Sequence, residues 1–173
     1  MRKLVMGFVA ACAVGIAGGA SAQQQPAATP EPVPEKMPFD IPYGSEINLD
    51  RANRLIDAAE MEARKHNWKM AIAVVGPTGD LVSFQRMDGT QLASVAIAQD
   101  KAVAAARFRR PTKVFADAME AGHAYVLSLR GAVASPGGFP LVESGRIIGA
   151  IGCSGGVGAQ DAATCGAGAE LVK

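Results

Sequence analysis

Apolar residues recur at three- and four-residue steps through Leu49, Ala52, Leu55, Ile56, Ala59 and Ala63, with Asn48 placed ahead of them as a cap. The spacing predicts a helix to about Lys65 whose single apolar stripe needs a surface to cover it. Residues 70–75 and 81–87 are short runs rich in Val, Ile and Leu. Gly76-Pro77-Thr78-Gly79-Asp80 lies between them and reads as a hairpin turn. Residues 92–108 return to a helical pattern. Alanines at 93, 96, 98, 102, 104, 105 and 106 leave little of this helix made for water, so it is expected to be buried or to lie at a subunit contact.

Pro111 ends that helix, and Thr112 is placed to cap a third one running to Ala121, with Gly122 at its C-terminal turn. Residues 125–129, 132–134, 139–143 and 146–153 then read as strands, the last two joined through Ser144-Gly145 as a tight hairpin. Gly155, Gly156 and Gly158 break the chain before a final helix over about 159–171. Short hairpins with helices before, between and after them predict an α+β domain on an antiparallel sheet.

The N-terminal end follows other rules. Arg2 and Lys3, an apolar run over 4–17 and Ala20-Ser21-Ala22 have the form of a secretory signal over 1–22, cleaved before Gln23. The run is too short for a membrane span, which needs about 20 apolar residues. Residues 23–46 form a Pro-rich extended segment, with six of the ten prolines between 23 and 44. Phe39, Ile41 and Tyr43 alternate there with Asp40 and Pro42, so an extended strip has one apolar face to lay on the domain or on a neighbouring subunit. The domain proper is 47–173. Export places the chain in the periplasm or outside the cell.

Composition narrows the function. Apolar residues are 49% and aromatics 5%, as in a globular core built of small aliphatic side chains. With 17 Lys and Arg against 16 Asp and Glu, and no cationic cluster, nucleic acid is excluded as a partner. Cys153 and Cys165 remain after signal removal, in a compartment that allows them to pair. If they do, the bond closes a short loop.

Gly152-Cys153-Ser154-Gly155-Gly156 fits G-x-S-x-G, yet no His follows Ser154, so a nucleophile elbow is excluded and a glycine turn remains. The glycines of 156–158 do not complete a dinucleotide loop. Amide donors at the start of the final helix either hold a carboxylate or are capped by Asp161 or water. Only His66 and His123 are present, so hydrolytic zinc sites built on His pairs are excluded. His66 sits in a solvated helix end, whereas His123 follows Gly122 between Met119 and Tyr125. Arg86, Lys101, Arg107, Arg109 and Arg110 are either anion partners or members of structural ion pairs, Arg86 with Asp88 and Asp100 with Arg107 among them. Lys101 lies inside so apolar a helix that, if buried, it needs a carboxylate or carbonyl partner.

An ordered set of short motifs runs through the domain. It comprises Arg86-Met87-Asp88-Gly89, Lys101-Ala102, Phe108-Arg109-Arg110-Pro111-Thr112, Gly137-Gly138-Phe139-Pro140-Leu141-Val142, Ile148-Gly149-Ala150-Ile151-Gly152, Ser154-Gly155 and Gln160-Asp161. With these motifs the chain resembles the GlcG/HbpS family of haem-binding or haem-degrading domains from about Ile47 to Glu170, and it is similar to the C-terminal domain of PduO-type proteins. It departs from the family pattern at Ala159, where a Glu is usual. The resemblance implies a profilin-like sheet of about five antiparallel strands flanked by helices. It also implies assembly into homo-oligomers and a role as an extracytoplasmic haem binder, in some members tied to redox sensing. For the iron ligand that a haem site needs, scarcity points to His123, since only two imidazoles exist and His66 sits where solvation is expected; Met119, Tyr125 and Cys153 are the alternatives. Arg86, Lys101, Arg109, Gly137, Gly138 and Gly155 are the remaining cofactor-binding residues. Two other readings compete: an enzyme or accessory that takes a small carboxylated catabolite in an anion pocket lined by Arg86, Arg109 and the glycine turns, and a sensor partner acting through protein contact.

Overall fold

A computed structural model describes residues 32–172. The signal segment and the first part of the Pro-rich segment lie outside the described residues, and the compact unit treated below begins at Glu35.

The chain runs through α1 (Leu49–Lys65), β1 (Ala71–Val75), β2 (Leu81–Arg86), α2 (Ser94–Phe108), α3 (Lys113–Glu120), a 3-10 helix (Ala124–Ser128), β3 (Gly138–Glu143), β4 (Arg146–Ser154) and α4 (Gly158–Ala169), with a last 3-10 turn (Glu170–Val172). The described strands make one antiparallel sheet in the order β2-β1-β4-β3. This is the α+β architecture expected, with four strands rather than about five.

Strand β1 explains the layering. All five of its residues are buried, and they divide by parity. Ala71, Ala73 and Val75 join Ala98, Ala102, Ala105 and Ala106 of α2 and Ala150 of β4 on one face. Ile72 and Val74 meet Leu55, Ile56 and Ala59 of α1, with Ile151 and Cys165, on the other. Small side chains let α2 lie close to the sheet. At Gly152 a Cβ would stand 2.2 Å from the Ala98 carbonyl oxygen, so only glycine permits that approach. The alanine-rich helix thus spends its small face on its own sheet.

Local signals account for the ends of the elements. Asn48 accepts the Arg51 amide at 2.9 Å and caps α1. Ser144 and Gly145 both have positive φ, 49° and 72°, as a two-residue hairpin of the I′ kind requires. Thr112 differs from expectation: it makes no side-chain cap for α3, and its hydroxyl accepts the Gly138 amide at 2.9 Å.

Residues 125–129 and 132–134, expected as strands, form none. The first stretch is a 3-10 helix closed by local bonds, Val126 N–H to His123 O at 3.2 Å and Ser128 hydroxyl to Tyr125 O at 2.7 Å. Gly122 and Gly131, at φ +90° and +85°, bound it. No described strand runs beside it to supply a ladder, so β-favouring side chains do not decide the conformation.

The apolar strip at Phe39 to Tyr43 lies on its own domain. Tyr43 pairs in parallel with Ile147, the Gly44 amide donates to Ile147 O at 2.8 Å, and the Tyr43 hydroxyl donates to Arg107 O at 3.0 Å. Arg51 of α1 bonds Glu143 of β3 through Nη1 and Nη2 of its guanidinium, which holds the Glu143 carboxyl below the usual carboxylate range. A lowered folded-state pKa gives stability that is present above the unfolded value and lost as pH falls through the folded one. In an NMR titration Glu143 is expected to protonate at lower pH than ordinary glutamates, and Arg51→Ala to return it to their range.

Candidate functional site

The site residues expected from the sequence fall into separate groups. Lys101, Gly137, Gly138 and Gly155 belong to buried packing at one end of α4. Lys101 is 1% exposed, and its Nζ donates to Asp161 Oδ2 at 2.7 Å and to Cys153 O at 3.2 Å. Asp161, 3% exposed, uses its other oxygen to accept the Gly156 amide at 3.0 Å. The ammonium thus has the carboxylate and carbonyl partners that burial demands. These contacts fix α2, the end of β4 and the start of α4 to one another.

The glycines make room for this node. Gly137 has φ +118°, and a Cβ there would lie 2.8 Å from Asp161 Cβ and 3.2 Å from Lys101 Nζ. At Gly138 it would stand 2.4 Å from Lys101 O. At Gly155 it would stand 2.0 Å from Lys69 O, where the turn crosses the entry to β1. The Val157 amide donates to Gln160 Oε1 at 3.0 Å, so the donors of Gly156 and Val157 before α4 are met within the chain. Asp161 and Gln160 thus take the two amides that precede α4, as in the capped alternative. Beside the node, Cys153 and Cys165 are joined in a disulfide, with Cα atoms 5.5 Å apart and both residues fully buried. With its sulfur in that bond, Cys153 is not an iron ligand.

Arg86 and Arg109 do not share a pocket. Arg86 is exposed at the end of β2, opposite Ala71 at the start of β1. Arg109, left-handed at φ 56°, bonds Asp40 and the Ile41 carbonyl at 3.3 Å, next to the strip that pairs with Ile147 beyond the other end of β1. The strand between those ends is about 13 Å long. An anion pocket built on both arginines is therefore not formed. Arg110 lies over the Phe39 ring at 3.9 Å, and burial, then the charge of Arg109, lowers its pKa. Among the described residues no ion pair joins Arg86 to Asp88 or Asp100 to Arg107.

His123 stands apart from this packing. Its amide donates to Ala118 O at 2.9 Å and closes the end of α3, while its half-buried ring meets Tyr125 edge-on at 5.8 Å. The residues that follow turn apolar surface outward: Tyr125 is 65% exposed, Leu127 64% and Leu129 39%, with Arg130 exposed beside them. These residues fit haem: His123 would offer the iron an imidazole, and Tyr125, Leu127 and Leu129 would offer the ring an apolar ledge. Among the described residues no cluster of three or more His, Cys, Asp or Glu is arranged for a bare metal ion. Sequence reasoning singled out His123 by scarcity. It missed the ledge, because a run read as strand hides outward-facing side chains.

The comparisons agree on one relationship. The Escherichia coli K12 protein GlcG is 38% identical over 108 residues, covering 62% of this chain and 81% of that one. An uncharacterised 15.0 kDa protein of Citrobacter freundii is 34% identical over 119 residues, covering 66% and 84%. A crystal structure of a double mutant of Streptomyces reticuli HbpS superposes with a TM-score of 0.70 at 25% identity, covering 84% of this chain and 99% of that one. The crystal structure of a PduOC–haem complex shares the fold at a TM-score of 0.67 and 23% identity, covering 74% and 96%. A family profile described as "Haem degrading protein HbpS-like" matches residues 47–170. The chain belongs to the HbpS-like family of haem-degrading proteins.

Proposed function

We propose that the protein is an exported haem binder that takes haem on the ledge after α3, with His123 as the iron ligand. The observation that carries this reading is the half-buried imidazole of His123 set against the ring of the exposed Tyr125, with Leu127 and Leu129 exposed in the residues that follow. Membership of a haem-degrading family and the haem complex solved on the same fold support the ligand class. Arg130 follows Leu129 directly, is exposed, and is suited to a propionate. Bound haem supplies iron redox chemistry. This chain's residues supply the ligand, the apolar contact and the counter-charge. Lys101 and the glycines around it hold the scaffold, and Arg109 holds the N-terminal strip.

Export is part of the same reading. The charged and apolar start of the chain and a buried disulfide support an oxidising compartment. Self-association is also part of it: Leu92 at 79% exposed leaves apolar surface for a second copy or for a sensor partner.

The test is spectroscopic. His123→Ala is expected to shift the Soret band of the haem-loaded protein and weaken binding at least about tenfold, a loss of about 1.4 kcal/mol. His66→Ala is expected to do neither, because His66 stacks on Trp68 and bonds Glu62 at the C-terminal end of α1. Added imidazole should restore the original spectrum in His123→Ala. An unchanged spectrum with binding retained would move the ligand role to another residue.

A further inference from the structure

A cavity of about 640 Å³ lies between the N-terminal strip, the turn joining β1 to β2 and the C-terminal end of α2. Tyr43, Gly44, Glu46, Pro77, Thr78 and Arg107 line it. Its size lies within the range of small-molecule sites, and its walls are mostly apolar with a few charged groups.

Of the two charged groups Arg107 is tethered, and among the described residues neither is in an ion pair. Arg107 Nε donates to Thr78 O at 2.8 Å, which fixes the guanidinium over Gly79, where a Cβ would come within 3.2 Å of Nη2. Glu46 lies over Gly76, where a Cβ would come within 2.8 Å of its carboxyl carbon. Each glycine of the turn thus leaves room for one charged group. Both groups line one cavity, yet among the described residues they form no ion pair with each other or with any third residue. Pro77 and the Tyr43 ring line the same cavity, the Tyr43 hydroxyl being anchored on the Ala106 and Arg107 carbonyls. An oriented guanidinium with its Nη donors free is suited to a carboxylate, and an unpaired carboxylate beside an aromatic ring is suited to an ammonium.

We propose that this cavity is a second binding site, independent of the haem ledge, for a small zwitterion with an apolar body, of the α-amino acid class. Its carboxylate meets Arg107, its ammonium meets Glu46, and its side chain packs on Tyr43 and Pro77. No bond is made or broken, so the site is one of recognition.

Calorimetric titration of the full mature protein with L-phenylalanine tests this, beside phenethylamine, which lacks the carboxylate, and N-acetyl-L-phenylalanine, which lacks the cation. Saturable binding of L-phenylalanine is expected, with each analogue weaker by about tenfold or more. Arg107→Gln and Glu46→Gln are each expected to cost L-phenylalanine a similar factor. Arg107→Gln should leave phenethylamine binding unchanged, and Glu46→Gln should leave N-acetyl-L-phenylalanine binding unchanged. Hemin binding should be unaltered in both variants, which separates this site from the ledge. Absence of saturable binding up to about 10 mM, where even the weakest useful sites show, would overturn the proposal. So would binding that both variants retain.

Discussion

Lys101→Met is expected to lower folding stability by about 3–5 kcal/mol, because it leaves the Asp161 carboxylate buried without its cation. The pair sits at 1% and 3% exposure, where water cannot replace the lost partner. Asp161 also accepts the Gly156 amide, so the loss extends to the turn that starts α4. The double variant Lys101→Met with Asp161→Asn should recover much of the stability. It removes both charges and keeps an oxygen for Gly156. Urea unfolding of the two singles and the double forms a cycle that isolates the coupling. A cost below about 1 kcal/mol in Lys101→Met would mean that the pair is not what holds α2 to α4.

Cys165→Ala is expected to cost about 3 kcal/mol from the closed loop alone, since the bond spans a sequence separation of 12. The measured loss should be larger than that, because both cysteines are fully buried between β4 and α4, and removing a sulfur leaves a gap in the core. Thiol titration of unreduced, unfolded protein recovered from the periplasm should find no free thiol on Cys153 or Cys165. Two free thiols per chain would remove both the bridge and one support for export.

Much of this architecture was legible because period and punctuation agreed. Leu49 to Ala63 kept a helical stripe behind a capping Asn48, the turns at Gly76 to Asp80 and Ser144-Gly145 carried the glycines their backbones need, and β1 to β4 fell where they were expected. The 3-10 helix at Ala124–Ser128 was illegible because Tyr125, Val126, Leu127 and Leu129 have strand-forming or apolar side chains, whereas the outcome depended on whether a neighbouring strand was available. The site suffered from a related difficulty. That Lys101 requires a partner follows from an apolar helix, but which carboxylate meets it is set by a contact across 60 positions. Arg86 and Arg109 look equivalent in the sequence until the antiparallel register sends them to opposite ends of β1. Glu46 and Arg107 carry no motif at all, and only the turn between β1 and β2 brings them to one cavity.

The most direct measurement is the visible spectrum of the protein lacking residues 1–22 during titration with hemin. The account predicts a Soret band distinct from that of free hemin that grows and saturates as a single class of sites. A spectrum that only adds the absorbance of free hemin, with no saturation, would contradict it.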